Sequence, residues 1–312
     1  MKTLNDYRNL SIDDKNAVIA LGNFDGLHRG HQVVISKAIE IANIHDLKMG
    51  IGLFCPHPIR YFKPGITPFR LMSPKIRAEI MRNLNVSRLY EIPFDEYLRD
   101  MSDAEFVKSV LHEGLGVRHV VVGKDYKFGK NRCGNVESMK QNCALYNIGV
   151  TVMDTLGLHK IYGKYGSTNI RDAIKTGDVF HAAHMLSRPW IVDGIVKMGR
   201  QLGRTINFPT ANLEFGDLVR PKLGVYCVEA KLSGSNSWLP SIANAGKRPT
   251  VGGDSTLLEV HIFNFNGDIY DQNLQVRFRS FIRPEKKFAS FDDLKEQIQK
   301  DCIGAKSLFN IS

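Results

Sequence analysis

Short apolar segments alternate with stretches of helical periodicity in the first half of the sequence. Residues 17–22 (AVIALG) form an apolar run ended by a glycine, and His31 to Ala42 has apolar residues at helical spacing. The alternation continues with predicted strands at 50–54, 87–92, 119–123 and 149–153, and predicted helices at 74–84, 103–115 and 136–146. This order predicts a parallel, doubly wound, Rossmann-like sheet that binds ligands beyond the carboxyl ends of its strands.

The pattern changes after Arg188-Pro189. Short β-like runs follow, separated by Gly, Asn, Asp and Ser, at 192–199, 224–232, 239–246, 257–265 and 274–283. Only the stretch from Asp292 to Lys300 has helical periodicity. A small antiparallel β-barrel with a closing helix is therefore expected. The predicted fold class is α/β plus β, with one domain at 1–183 and a second at 184–312.

Composition narrows the class of protein. The 312 residues are long for one core, which favours two domains. No apolar run is long enough to span a bilayer, and the first residues lack the apolar stretch of a signal peptide. We therefore expect a cytoplasmic protein with no membrane partner. The five cysteines are scattered and never spaced as CxxC, which predicts reduced thiols.

The net charge of +10 is compatible with nucleic acid or with small ligands that carry several phosphates. No basic tail or Lys/Arg block is present, so the distribution favours small anionic ligands over nucleic acid. The oligomeric state is left open by the sequence, and self-association is compatible with it.

Candidate chemistry begins in GNFDGLHRGH (22–31), where the first strand passes into the first helix. Gly22, Gly26 and Gly30 permit close backbone approach to a ligand. His28 and His31 are three residues apart and can face the same way, where their N–H groups and the helix N-terminus would bind a phosphoryl group. The alternative for a short HxxH alone, a glycine-rich turn with surface histidines, has about even odds.

Two hydroxyls and an arginine stand in STNIR (167–171). Ser167 and Thr168 are expected just before a helix, with Arg171 on its first turn. They could cap that helix or bind triphosphate oxygens, and capping is favoured at about two to one for the motif alone.

The second half carries two further candidates. Thr210 and Asn212 in FPTAN (208–212) follow Gly199 and Gly203, and they offer neutral oxygen ligands of the kind that Mg²⁺ accepts beside phosphates. A β-turn is the alternative, at about three to one for PTAN alone. In LEVHIF (258–263) Glu259 shares a strand face with His261, so its carboxylate could take a proton from a hydroxyl or simply face solvent.

These motifs resemble a known family. GNFDGLHRGH, FCPHPIRYFKP (54–64), VVGKDYKFGKNRCGN (121–135) and STNIR are similar in order and spacing to the adenylyltransferase domain of bacterial bifunctional riboflavin kinase/FAD synthetases. GRTINFPTANL, GVYCVEA, ANAGKRPT, LEVHIFNFNGDIY and FIRPEKKF resemble the flavokinase barrel of the same enzymes. The resemblance runs from about Val18 to Asp301.

The resemblance implies a role for each motif of the first domain. His28 and His31 would contact ATP phosphates, Ser167, Thr168 and Arg171 would hold their β/γ end, and the FMN phosphate would attack the α-phosphorus as pyrophosphate leaves. Nucleotide contacts are implied for Gly22, Asn23, Phe24 and Gly30. Phe62, Asp125 and Phe128 would border the flavin, although simple packing is about as probable for each phenylalanine.

For the second domain the resemblance implies that ATP and riboflavin react to give FMN. Thr210 and Asn212 would bind Mg²⁺ and ATP phosphates with the help of Gly199 and Gly203. Glu259 would be the base that activates the ribityl 5′-hydroxyl, and the 247–250 loop, with Arg248, would close over the flavin.

Three other readings stay open at this point. The chain could be another HxGH nucleotidyltransferase, although such an enzyme would not need the barrel with PTAN and a strand glutamate. It could bind nucleic acid through its basic surface, although no aromatic-basic stacking motif is evident. It could also keep one activity only, the adenylyltransferase first, because Gly166 stands before Ser167 where the family has serine, and Asn207 replaces a glycine.

Overall fold

The computed structural model describes residues 1–154, 165–198, 208–250 and 253–311, with the side chains of 248–250 and 253–255 excluded. Two compact units are present. The first comprises Met1–Ile66 and Arg77–Tyr165, and the second comprises Thr67–Ile76 and Gly166–Ser312. The sequence places a boundary between residues 183 and 184, and this domain boundary stays a prediction.

The first unit contains a parallel six-stranded sheet. Its strands are β1 (Lys2–Leu4), β2 (Ala17–Leu21), β3 (Lys48–Cys55), β4 (Arg88–Pro93), β5 (His119–Gly123) and β6 (Gly149–Met153). They lie in the order β1-β4-β3-β2-β5-β6, and every pairing is parallel. From β2 the chain moves outward through β3 and β4, then returns to β5 on the other side of β2. The order therefore reverses between β2 and β5, where doubly wound sheets bind ligands.

The helices of the first half follow the predicted alternation. They are α1 (Arg29–Ile44), α2 (Pro58–Phe62), α3 (Pro74–Asn83), α4 (Glu96–Asp100), α5 (Asp103–Glu105) and α6 (Val136–Ala144). The predicted helix at 103–115 is α5 continued by a π-helix over Phe106–Gly114. Strand β2 is buried along its whole length, as an apolar run in a sheet covered on both faces should be.

The second unit is a nearly closed antiparallel barrel. After its segment at 67–76, it contains α7 (Ser167–Thr176) and α8 (Val179–Leu186), and α9 (Phe291–Leu308) follows the last strand. Its strands are β7 (Ile191–Ile195), β8 (Ala211–Glu214), β9 (Gly224–Leu232), β10 (Leu239–Thr250), β11 (Gly253–Ile262) and β12 (Asn273–Pro284), in the order β7-β12-β9-β10-β11-β8. A bridge between Lys197 and Asn212 brings the chain after β7 beside β8. The expected small barrel with a closing helix is confirmed.

Strand β9 is buried on both of its faces. Tyr226, Val228 and Ala230 of β9 are fully buried, and Phe278 of β12 packs against Trp190 at 4.8 Å between ring centroids. Residues on the opposite face of β9, including Val225 and Cys227, form a second apolar cluster with Cys302 and Ala305 of α9. Helix α9 therefore covers one part of the outer surface of the barrel.

Two further observations bear on the sequence predictions. In the described part of the chain, no helix is both long enough and apolar enough to cross a membrane. The five cysteines are free thiols.

Candidate active sites

The loop after β2 has a strained backbone. Phe24 and Leu27 have φ of 46° and 45°, in the left-handed region that side chains disfavour, and Gly26 has φ of 88°. Such strain costs roughly 1–3 kcal/mol per residue and persists only where the surroundings enforce it. The Phe24 and Leu27 side chains are buried at 1% and 0% exposure, so packing supplies that enforcement. The loop at the sheet's switch point is therefore held in one conformation.

The two histidines of this loop lie against each other, as their spacing predicts. His28 is the N-cap of α1, and its Nδ1 accepts a hydrogen bond from the His31 N–H at 3.3 Å. The rings stack with centroids 3.7 Å apart and planes 21° apart. Because Nδ1 of His28 accepts, the neutral ring carries its proton on Nε2 and can donate there.

His31 is held neutral by its surroundings. Burial is the larger cause that keeps its pKa well below the ordinary value of 6.5, and the neighbouring His28 lowers it further. Its Nδ1 is buried and makes no hydrogen bond within the described residues. A buried ring nitrogen without a partner is costly for stability, which is characteristic of a group that serves a ligand.

Gly30 lies close to the His28 ring. A Cβ at residue 30 would lie 3.1 Å from Cε1 and 3.2 Å from Nδ1 of the His28 ring. These distances are tighter than ordinary van der Waals contacts, so a side chain there would push the imidazole. Gly22 is crowded in the same way, with the Phe24 ring 3.2 Å from its would-be Cβ.

The loop after β3 carries an exposed aromatic surface. His57 caps α2, with Nδ1 accepting from the Ile59 N–H at 3.2 Å, and so repeats the arrangement at His28. Phe62 at the end of α2 is 61% exposed and makes edge contacts with Tyr61 and Phe94, at 5.4 and 5.7 Å between centroids. Phe62 thus offers ring surface at the edge of the sheet where ligands are expected.

The loop after β5 contains two candidate flavin-binding residues, Asp125 and Phe128, and they differ in exposure. Asp125 is exposed, with Oδ1 3.2 Å from the would-be Cβ of Gly123. Phe128 is 4% exposed and packs in the unit's hydrophobic core against Phe106 and Tyr126. This burial is the packing alternative, and contact between Phe128 and flavin stays a prediction.

Helix α7 belongs to the second unit and differs in one detail from the expectation. Ser167 and Thr168 are its first two residues rather than residues before it, and Gly166 is the N-cap without a side-chain hydrogen bond. Neither hydroxyl is therefore the N-cap. Arg171 lies one turn further on, and its Nε donates to the Phe69 carbonyl at 2.7 Å.

A polar row crosses the barrel. In the strand register Glu259 of β11 stands directly opposite Asn212 of β8 and Asn244 of β10. Residues directly opposite in an antiparallel sheet place their side chains on one face. Glu259 is exposed between the buried Leu258 and Val260, so its carboxylate is on the outer face. The row therefore brings together two predicted site residues and a third, Asn244, which no sequence motif indicates.

Neighbouring positions extend this polar face. Gly246 lies two residues from Asn244, and a Cβ there would lie 2.9 Å from Asn244 Nδ2 and 2.7 Å from Glu285 Oε1. Glycine at 246 thus leaves room for the Asn244 amide and the Glu285 carboxylate to converge. Glu285 was also missed from the sequence, since it follows β12 and reaches the row only through the fold.

The segment before β8 passes over the same face. Ala211 and Asn212 belong to β8, so the turn alternative for PTAN is wrong at these two residues. Asn212 is 5% exposed, and Thr210 immediately precedes the strand. Three predicted residues cannot be placed: Gly199 and Gly203 lie outside the described residues, as does the side chain of Arg248.

The parallel sheet, with the stacked His28 and His31 at its switch point, defines a nucleotidyltransferase-like unit. The barrel with its polar row forms a second unit. Two family models match these parts, one described as FAD synthetase over residues 10–165 and one as riboflavin kinase over residues 186–309. The chain belongs to the bifunctional riboflavin kinase/FMN adenylyltransferase family. It is a transferase that contains the domains for both activities.

Relatives along the whole chain carry that description. The chain is 36% identical to a bifunctional riboflavin kinase/FMN adenylyltransferase of Pseudomonas fluorescens over 309 residues, covering 99% of this chain and 98% of the relative. It is 37% identical to that of Haemophilus influenzae, covering 95% of each, and 33% identical to that of Escherichia coli K12, covering 100% and 99%.

A solved structure shares the fold. A protein of Streptococcus pneumoniae described as a macrolide-efflux protein is similar over 98% of both chains, with a TM-score of 0.86 and 28% sequence identity. This similarity supports the architecture, while the family models and the curated relatives carry the activity.

Proposed function

We propose that the first unit transfers the adenylyl group of ATP to FMN through the loop that follows β2. The observation that carries this proposal is the stacked pair His28 and His31 at the N-terminus of α1. The N-terminus of a helix binds anions through its unpaired N–H groups, and preformed donors there stabilise charge that develops on a phosphoryl group. The strained, buried backbone of the loop keeps these donors in place before ATP binds.

In this reaction an oxygen of the FMN phosphate attacks the α-phosphorus of ATP. A new P–O bond forms, the bond to the β-phosphate breaks, and pyrophosphate leaves with its electron pair. His28 and His31 donate hydrogen bonds to the α-phosphate, and Gly22, Asn23, Phe24 and Gly30 form the backbone cradle. For Ser167, Thr168 and Arg171, contact with the β- and γ-phosphates stays what the family resemblance implies.

The flavin is proposed to bind near α2. The exposed ring of Phe62 suits stacking on a planar heterocycle, and Tyr61 and Phe94 support it from the side. Asp125 lies after a strand that neighbours β2 and is exposed for a polar contact with the same ligand.

The second unit is proposed to phosphorylate riboflavin at the polar row. Glu259 takes the proton of the ribityl 5′-hydroxyl as that oxygen attacks the γ-phosphorus of ATP, and ADP leaves. The exposed carboxylate, directly opposite two amide side chains, supports this role. Catalysis then consists chiefly of positioning and charge neutralisation.

Mg²⁺ suits the oxygen donors of this face. Within the described ranges, no three His, Cys, Asp or Glu side chains group as a metal cluster. The Thr210 hydroxyl and the amide oxygen of Asn212 are hard neutral ligands that Mg²⁺ accepts when phosphates complete its shell, and Asn212 stands opposite Glu259. These two residues would hold the ion, which would neutralise phosphate charge.

The experiment that tests both assignments uses each unit as the control for the other. Replacing His28 and His31 together with Ala should abolish FAD formation from FMN, because the donors at the α-phosphate are lost, and should leave riboflavin phosphorylation intact. Glu259→Gln should do the reverse, because the amide cannot accept the proton. Separation of riboflavin, FMN and FAD over time measures both steps. Equal loss of both activities in either variant would contradict the two-site assignment.

Three further expectations stay predictions. These are the cytoplasmic location, the absence of nucleic-acid binding and the oligomeric state. If the protein bound a polynucleotide, if this binding weakened steeply with salt and if flavin did not change it, the hypothesis of a nucleic-acid-binding protein would be favoured.

A further inference from the structure

We propose that His261 is a positioning residue for riboflavin phosphorylation, which holds Thr210 beside Glu259 through the backbone of Pro209. The proposal rests on the assignment of Thr210 and Glu259 to the kinase site. It concerns a residue that needs no contact with either substrate.

The evidence begins with one hydrogen bond. Nδ1 of His261 lies 2.9 Å from the carbonyl oxygen of Pro209. A carbonyl can only accept, so Nδ1 carries the proton and donates. Pro209 has no backbone N–H, and its carbonyl is therefore the backbone group through which β11 can hold this residue.

Ring contacts fix the same side chain. The His261 ring meets Phe208 at 5.3 Å and Phe263 at 5.7 Å between centroids, with planes 63° and 76° apart. Phe263 is 7% exposed and belongs to the cluster that packs against α9. The imidazole thus packs against buried Phe263 and also contacts the 208–209 segment.

The strand register connects this contact to the proposed chemistry. His261 is two residues from Glu259 in β11, so both side chains lie on the same face. Thr210 stands between two anchors, because Pro209 on one side is bonded to His261 and Asn212 on the other is opposite Glu259 in the ladder. Release of one anchor would let the Thr210 hydroxyl move relative to Glu259.

A pair of substitutions separates the donor from the ring. His261→Ala removes the hydrogen bond and the ring contacts, whereas the Nδ2 of Asn in His261→Asn stands about where Nδ1 stood and can still donate to Pro209. For His261→Ala we expect the KM for Mg·ATP in riboflavin phosphorylation to rise at least tenfold, because misplacement by about 1 Å can cost 10²-fold. For His261→Asn we expect recovery to within about threefold of the unsubstituted protein, because the donor is kept.

The measurements are initial rates of FMN formation over a range of Mg·ATP concentrations, rates of FAD formation from supplied FMN, and thermal unfolding. FAD formation should be unchanged in both variants, and their unfolding transitions should match. Kinase kinetics unaffected in His261→Ala would overturn the proposal, as would equal impairment of the two variants, since the ring alone would then matter. If Glu259→Gln left phosphorylation intact, the kinase site itself would be wrong, which is a distinguishable result.

Discussion

At the scale of single residues, Gly30 in the first turn of α1 leaves space for the His28 ring. Gly30→Ala would place Cβ 3.1 Å from the His28 ring, so we expect the imidazole to shift by a few tenths of an ångström or more. The rate of FMN adenylylation should then fall by about tenfold or more, because donors act only when aimed at the developing charge. Initial rates of FAD formation measure this effect, and riboflavin phosphorylation should be unchanged.

A second helical glycine provides a matched control. Gly304 in α9 has no atom within 4 Å of a would-be Cβ. Replacing glycine by alanine inside a helix favours the helix by about 1 kcal/mol. Helix propensity should therefore not lower the unfolding temperature of Gly30→Ala or Gly304→Ala. We expect Gly304→Ala to keep both activities. If Gly30→Ala formed FAD at the unchanged rate, the space left by Gly30 would not be what keeps the His28 ring in its active position.

Site residues that belong to one short segment can be predicted from the sequence to lie together. The His28 and His31 stack follows from their spacing and from the start of a helix. The row of Asn212, Glu259 and Asn244 does not, because it depends on the register of three strands that are distant in sequence. Phe128 shows a different limit: an aromatic beside a motif is as suited to the core as to a ligand, so its low exposure could not be predicted from the sequence, and its contact with flavin stays a prediction.

At the scale of elements, a buried ion pair ties α9 to the end of β12. Arg283 Nε lies 3.0 and 2.9 Å from the two carboxylate oxygens of Asp301, which is 5% exposed. Asp301→Asn should lower the free energy of unfolding of the second unit by about 3 kcal/mol, because it leaves a partly buried guanidinium without its counter-charge. Calorimetric unfolding of the full chain measures the change.

The double variant Arg283→Met with Asp301→Leu removes both charges and tests the cause. It should recover most of the lost stability, since a well-packed apolar pair can replace a buried ion pair without large cost. A double variant as unstable as Asp301→Asn would mean that shape, rather than the unpaired charge, accounts for the loss. FAD formation from FMN should be unaffected in both variants.

Long, strongly patterned elements were predicted and short ones were not. All five predicted strands of the first half occur, with boundaries within two residues, and the β-like runs of the second half all contain strands. Strand β1 is three residues at a sheet edge, and β8 lies inside a motif that was interpreted by its chemistry. The π-helix at 106–114 has the apolar spacing of an α-helix, so periodicity could not distinguish it.

At the scale of the whole molecule, two chemical steps are carried by two compact units in one chain. FMN is the product of one activity and the substrate of the other. If FMN leaves the kinase before it is adenylylated, a chain that lacks only the first activity and a chain that lacks only the second should complement each other when they are mixed.

The mixture of Glu259→Gln with the His28→Ala/His31→Ala variant tests this expectation. Neither variant alone should convert riboflavin to FAD, whereas the mixture should do so after a lag in which free FMN accumulates. The lag should shorten as the Glu259→Gln protein is increased, because capture of FMN from solution is bimolecular. FMN and FAD in the filtrate and in the protein fraction give the measurement. Absence of FAD at every ratio, with both single activities present, would mean that FMN stays with the chain that made it.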